Sequence, residues 1–371
     1  MLEKIFKHLK KDKRVFEAFQ VEVSTYCSME CQMCPRSLFS EQWIFQNMPL
    51  ETFQKIGQYF RLTKWVHLQG WGEPLENEEL IQMVNLVKKV NCLASLTTNG
   101  VRLTEEISER LLEEGIDNMV ISVGGATRED HERLRVGSNF DNVLANIRRL
   151  VDLKKRLGMS KPVVRLSYMM TKFNIRGLPD MVPLAAELGV DEIMVTNIDY
   201  LAGERCNFLR TFYHESPSKA FQESLDEMHR RGKETGIAVR TYPLKVEEVL
   251  VCEANPPQNV FFSVDGSVAP CVYLRIPKKG DIPRIFQNEH YVVPQTVFGN
   301  IIDEDLFEIW NKEPYKKFRQ VYEDRIQGKF GIGEALEALE SMNFSSLKER
   351  SDKEMPPLPE VCQTCYKAYG I

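Results

Sequence analysis

Short apolar runs alternate with stretches of helical spacing from Phe16 to about Asn197. The runs Phe19–Val23, Trp65–Gln69, Leu93–Thr97, Asn118–Val123, Val163–Met170 and Glu192–Thr196 read as strands, rich in branched and aromatic residues. Between them, Leu50–Phe60, Glu78–Val90, Glu105–Leu112, Phe140–Leu157 and Leu178–Leu188 repeat apolar residues at the spacing of a one-faced helix. Six strand–helix units in series predict a parallel sheet with right-handed crossovers. The alternation does not separate an open doubly wound sheet from a barrel. Both place ligands at the carboxyl ends of the strands.

The pattern changes after Asn197. Leu201–Ser216 reads as an irregular connector and Ser218–Glu234 as a helix. Asn259–Val264 and Ser267–Val272 flank Asp265-Gly266, a two-residue hairpin signal with positive φ expected at both turn residues. Asp303–Gln320 reads as a short amphipathic helix, Ile332–Lys353 as a helical and then polar stretch, and Met355–Pro359 as a rigid extended approach to Cys362-Gln-Thr-Cys365. The predicted organisation is an N-terminal helix over 1–15, a barrel or sheet domain over 16–216, a bridging helix and strand over 217–240, and a smaller domain over 241–371.

Composition narrows the function. The 371 residues are 43% hydrophobic and 27% charged, enough for a large core. The net charge of −5 and pI of about 5.9 argue against a nucleic-acid partner. No apolar run approaches the ~20 residues of a membrane span, and the basic N-terminus lacks a signal-peptide core. Leu2, Ile5 and Leu9 share a helical face there, solvated or docked on an acidic partner. The expected compartment is the cytoplasm. Nine cysteines, an odd count, then point to metal or redox use rather than disulfides.

Cys27, Cys31 and Cys34 form a C-x3-C-x2-C array directly after the first strand. Three thiolates with no nearby fourth ligand leave a metal position open, whereas structural zinc wants four closed ligands. Iron–sulfur clusters are held by Cys thiolates, usually four. Cys252, Cys271, Cys362 and Cys365 make a second, closed set, and ligand count alone leaves zinc and iron open. Cys92 and Cys206 read as core or connector thiols, with a catalytic role for Cys206 as the alternative. Gln69-Gly-Trp-Gly-Glu-Pro-Leu75 follows the second strand, where glycine allows close backbone approach and Glu73 offers a carboxylate. Thr97-Thr-Asn-Gly100 follows the third strand, and His67 reads as a satisfied core histidine.

With these residues the chain resembles the radical S-adenosylmethionine (SAM) superfamily over about Phe16–Asn197, on Cys27-x3-Cys31-x2-Cys34 with Met33 before the last Cys. The resemblance implies a partial (β/α)6 TIM-like barrel and a 4Fe–4S cluster on the three thiolates, with SAM chelated to the remaining iron. It also implies cleavage of SAM to a 5′-deoxyadenosyl radical that takes a substrate hydrogen. It assigns Gly72 and Glu73 to the SAM amino group, Asn99 to a loop near the ribose, and Ser122 and Arg135 to the SAM carboxylate. Ser28 and Ser122-Val-Gly124-Gly125 depart from the usual Asn and Ser-x-Asp-Gly.

Gly266-x4-Cys271, Phe298-Gly-Asn-Ile301 and Leu306-Phe-Glu-Ile-Trp310 resemble the auxiliary-cluster extension called SPASM, or its shorter relative Twitch. That implies a small hairpin-and-helix domain with one auxiliary 4Fe–4S cluster, and an electron donor such as ferredoxin or flavodoxin. Leu68–Pro74 and Cys365-Tyr-Lys-Ala-Tyr-Gly are similar to radical SAM maturases of tungsten-containing oxidoreductases. A peptide-modifying or dehydrogenating enzyme is the alternative, and a non-catalytic zinc scaffold the alternative of another class. Strand-end placement nominates Tyr168, Met170, Asn197, Asp199 and Tyr200 as substrate contacts.

Overall fold

The computed structural model describes residues 14–329 and 355–371. The helix expected over 1–15 falls almost wholly outside the described residues, as does the stretch expected over 332–353. The strands are β1 (Phe16–Val21), β2 (Thr63–Leu68), β3 (Leu93–Thr98), β4 (Asn118–Val123), β5 (Val163–Met169), β6 (Glu192–Thr196), β7 (Ala238–Thr241), β8 (Asn259–Phe262), β9 (Ser267–Ala269), β10 (Ile282–Phe286), β11 (Glu289–Val293) and β12 (Gly299–Asn300). Ten of them form one sheet in the order β12-β9-β8-β1-β2-β3-β4-β5-β6-β7. From β8 to β7 every neighbouring pair is parallel. The fold is α/β, a partial barrel.

Alternation along the strands divides the two faces. Val66, Leu68, Leu96, Ile121, Val123, Leu166, Ile193 and Val195 are buried in one core with the helices. That core takes in Phe53 and Ile56 of helix Leu50–Gly57 and Met83, Val84 and Val87 of helix Leu80–Lys88. Helix Phe140–Arg156 adds Val143, Ile147 and Leu150. The other face carries His67, Ser95, Thr97, Ser122, Ser167 and Thr196, in register from strand to strand. His67 Nδ1 meets Ser95 Oγ, its ring stacks on Trp65 with centroids 5.6 Å apart, and burial pulls its pKa down to about 4. It is a neutral, hydrogen-bonded histidine inside the barrel.

Four details depart from the sequence pattern. Helix Lys219–Thr235 and β7 add a seventh unit to the sheet, and β8 closes on β1, so the sheet runs across residues 216 and 241. Leu201–Ser216 contains a six-residue helix, Glu204–Leu209, too short to show a periodicity. The turn at Asp265-Gly266 spans three residues: Gly266 N–H donates to Ser263 O, Ser263 N–H to Ser267 O, and only Gly266 has positive φ. A turn with two positive-φ residues sits instead at Gln287-Asn288, joining β10 to β11. Asp303–Gln320 divides at extended Lys312 into helices Leu306–Asn311 and Glu313–Lys329. Among the described residues no helix is long and apolar enough to cross a membrane.

Candidate active site

The three-cysteine loop is built by its neighbours. Thr25 Oγ1 donates to Ile44 O at 2.7 Å and accepts from Gln46 N–H at 2.7 Å, while Trp43 Nε1 donates to Thr25 O. On the far side, Glu30 N–H donates to Val136 O and Gln32 N–H to Leu134 O. A Cβ on Gly137 would lie 3.5 Å from Met29 Cα, and its φ of +91 is a conformation that favours glycine. The loop ends where Cys34 caps the short helix Pro35–Leu38. Burial pushes the Cys34 thiol up to about 12, helped by Cys31, and also raises Cys27 and Cys31. Three close thiols that resist ionising need cationic charge. Arg36 Nη2 and Arg135 Nε are buried there without a hydrogen-bond partner, and both cations lower the Cys31 pKa.

The second loop closes onto the first. A Cβ on Gly72 would lie 2.3 Å from Ser24 O and 2.6 Å from Thr25 Cα, so only glycine allows this approach. Glu73 N–H donates to Tyr26 O at 2.7 Å. The buried Glu73 carboxylate accepts from Leu75 N–H at 3.1 Å, Thr98 Oγ1 at 2.6 Å and Asn99 N–H at 2.7 Å. Burial, countered by those bonds, raises it to about 7. Three donors on four acceptor sites leave capacity for one more. Asn99 Nδ2 in turn lies 3.6 Å from Cys27 Sγ. Glu73, Asn99 and the three-cysteine loop therefore converge. Ser122 lies on the inner face of β4, in register with Ser167. Met33 is buried under Cys206, whose Sγ lies 3.6 Å from Met33 O. Cys206 is a packing thiol, and Cys92 lies in the sheet core.

The nominated substrate contacts separate. Tyr168 and Met170 are wholly buried in the core, Tyr168 donating to Asn174 O at 2.6 Å, and they do not line the mouth. The strand's period turns Met169 and Ser167 to the other face. Asn197 is buried too, its side chain holding Pro243 O and Thr211 Oγ1. Asp199 and Tyr200 meet residues of the C-terminal part of the chain instead, Tyr200 O–H donating to Pro283 O at 2.6 Å. Asp199 Oδ2 accepts from Tyr273 O–H at 2.7 Å and pairs with buried Lys367 at 3.1 Å. Tyr200 and Tyr273 both stand against Trp71, with centroids 5.6 and 5.7 Å away.

Cys252, Cys271, Cys362 and Cys365 line one cavity with Tyr273, Tyr322 and Lys367. Burial raises Cys252 to about 12 and Cys271 well above the ordinary thiol range, with the neighbouring thiols adding to both. Among the described residues no three His, Cys, Asp or Glu side chains converge as ligands of a single ion would. Four thiols around one cavity make a donor set that fits an iron–sulfur cluster.

A model of the radical SAM superfamily matches residues 21–185, and a model described as a SPASM iron–sulfur cluster-binding domain matches residues 252–332. The chain is a radical SAM enzyme with a SPASM domain. Its cofactors are SAM and iron–sulfur clusters, which settles the zinc alternative. The SPASM match stops before Cys362 and Cys365, yet the fold brings both to the cavity of Cys252 and Cys271.

The chain is 27% identical over 306 residues to the tungsten-containing aldehyde ferredoxin oxidoreductase cofactor-modifying protein of Pyrococcus furiosus, covering 81% of this chain and 82% of that one. It is 24% identical to PqqA peptide cyclase of Gluconobacter oxydans, over 80% and 77%. Streptococcus suis SuiB bound to S-adenosylmethionine superposes with a TM-score of 0.64 at 16% identity, covering 86% of this chain and 71% of that one. Native anSMEcpe with bound AdoMet gives 0.58 at 17%, over 82% and 83%. These two likenesses are of fold.

Sequence reasoning passed over Glu22, Arg36, Trp71 and Lys367. Glu22 had a signal: an acid within an apolar strand directly before the cysteine loop. Nothing local marks Lys367 as a residue that meets Asp199.

Proposed function

We propose that Cys27, Cys31 and Cys34 hold a 4Fe–4S cluster, and Cys252, Cys271, Cys362 and Cys365 a second. When bound, the first supplies the electron that splits SAM into methionine and a 5′-deoxyadenosyl radical, which takes a hydrogen atom from the substrate. Glu73 accepts the SAM amino group, Gly72 lets the loop lie close, Asn99 lies near the ribose, and Ser122 contacts the carboxylate. Arg135 meets the carboxylate, an assignment supported by its unpartnered Nε beside Cys31. The convergence of Glu73, Asn99 and Cys27 carries this reading. An electron donor such as ferredoxin or flavodoxin supplies the electron, and the setting is the cytoplasm.

For substrate, the Pyrococcus furiosus relative supports maturation of a tungsten-containing oxidoreductase or its cofactor. Modification of a peptide is the second reading, favoured by the PqqA peptide cyclase match. Anaerobic protein reduced with dithionite and given SAM should release 5′-deoxyadenosine, and replacing Cys27, Cys31 and Cys34 by Ala should abolish it. Release that survives the triple change would refute the assignment. Substrate is decided by deuterium transfer into 5′-deoxyadenosine from labelled tungstopterin cofactor or from labelled peptide.

A further inference from the structure

A chain of cations and rings runs along the outer rim beside the three-cysteine loop. The Arg133 guanidinium lies 3.5 Å over the Phe173 ring, Phe173 is 6.1 Å from Phe208, and Lys172 Nζ stands 5.3 Å from Phe208. Arg210 follows, its Nη2 donating to Asn288 Oδ1 at 3.0 Å and its guanidinium 5.9 Å from Phe212. The residues come from the carboxyl ends of three strands: Arg133 after β4, Lys172 and Phe173 after β5, Phe208 and Arg210 after β6. Lys172 N–H donates to Leu209 O, which ties two of these segments together.

Three properties single out this patch. Among the described residues none of its three cations pairs with a carboxylate, and the nearby Glu204 is turned to His290 at 2.8 Å. Arg210 is close enough to lower the Lys172 pKa, after burial. Like charges held together unneutralised, on a chain of net charge −5, favour an anionic visitor. Phe208 is 61% exposed and lies beside the Phe173 ring, so the patch offers apolar area among its cations.

Its position excludes a purely internal role. In helix Glu204–Leu209 the Cys206 side faces Met33 and is fully buried, while Phe208 faces solvent. The patch is nevertheless one residue from the cysteine loop: Gln32 Nε2 donates to Arg133 O at 2.7 Å. A substrate must reach the inside of the barrel, whereas an electron carrier needs only to approach the cluster loop. We propose that Arg133, Lys172 and Arg210, flanked by Phe173 and Phe208, form the docking surface for an acidic one-electron carrier protein serving the Cys27–Cys31–Cys34 site. The inference rests on the radical SAM reading of that site. One electron leaves the reduced carrier, which is left oxidised, and is taken up at the cysteine site; no proton or group moves with it.

The probe is an acidic flavodoxin, titrated against the reconstituted full chain. Binding to the wild type should weaken as NaCl rises from 50 to 300 mM, since surface charge pairs are screened at that range. Combined Arg133→Glu, Lys172→Glu and Arg210→Glu should cost roughly tenfold or more in affinity and flatten the salt dependence. Phe208→Ala should weaken binding without altering charge. SAM cleavage driven by reduced flavodoxin should fall in parallel, and cleavage driven by dithionite should not. Unchanged flavodoxin affinity overturns the proposal. So does an equal fall in the dithionite-driven rate, or loss only of binding to a poly-glutamate peptide, which would make the patch a peptide-recognition surface. If wild-type protein fails to cleave SAM even with dithionite, the radical SAM assignment fails, and the binding arm still decides the docking surface.

Discussion

The Trp71 amide donates to Glu22 Oε1 at 2.9 Å, while Glu22 Oε2 accepts from Ser263 Oγ at 3.0 Å. One wholly buried carboxylate thus joins the loop after β2, which carries Gly72 and Glu73, to the β8–β9 hairpin that opens the SPASM domain. Burial, countered by the Trp71, Ser263 and Val264 hydrogen bonds and by Arg275, pushes Glu22 from 4.5 up to about 7.

A pH dependence follows. The folded chain retains a proton on Glu22 that the unfolded chain gives up, so this contribution to stability is full below about pH 4.5. It is lost as pH rises towards 7, by up to about 3 kcal/mol. Glu22→Gln keeps the shape without the titration. Its melting temperature should vary less than the wild type's between pH 5 and 8, and equal slopes by calorimetry would remove Glu22 as the cause.

Gly72→Ala puts a methyl group into the Ser24–Thr25 backbone. Relieving that overlap costs roughly 1–3 kcal/mol and displaces Glu73. The expected result is SAM affinity about tenfold weaker by equilibrium dialysis, with iron content unchanged. Wild-type affinity would show that the two loops do not form one site.

Iron and sulfide analysis separates the cysteine sets. Two four-iron clusters predict about eight irons per chain. Alanine at Cys252, Cys271, Cys362 and Cys365 should leave about four irons and retain SAM cleavage. Alanine at Cys27, Cys31 and Cys34 should also leave about four but abolish cleavage. The same iron content in both variants and the wild type would mean that neither set holds a cluster.

Arg325 tests how the second site is held. It is fully buried, donates to Leu250 O at 3.0 Å, Val249 O at 2.8 Å and Pro356 O, and pairs with Glu248 at 2.8 Å. Arg325→Ala strands those acceptors and should cost about 3 kcal/mol. Thermal loss of the auxiliary cluster's absorbance should come several degrees earlier, with the barrel's circular dichroism little changed. A shift below one degree would deny the strut.

Much of this was legible in the chain, for physical reasons. Strand–helix alternation marks β1 to β6 because each unit must bury one face, and Asn118–Val123 and Glu192–Thr196 fall where the pattern puts them. The cysteine sets and Gly72-Glu73 are visible because ligand spacing and close backbone approach are local properties. Tyr168 and Met170 misled because strand-end position says nothing of which face a side chain takes, and here it is the helix-covered one. The short β7, half exposed and preceded by a charged helix, carries too little pattern to announce a seventh parallel strand. Glu22 and Lys367 act through partners far away in the chain, Ser263 and Asp199, and no window of sequence contains both ends of such a contact.

The pairing of β8 with β1 also orders events during synthesis. Domains fold from the N-terminus as the chain emerges, yet the strand that launches the cysteine loop waits for a neighbour 241 residues later, at Asn259. Until then β1 presents an open edge, Glu22 has no Ser263, and the loop hangs from a half-paired strand. The strand that leads into the proposed cluster site at Cys27, Cys31 and Cys34 is therefore paired on both sides only once β8 has been made.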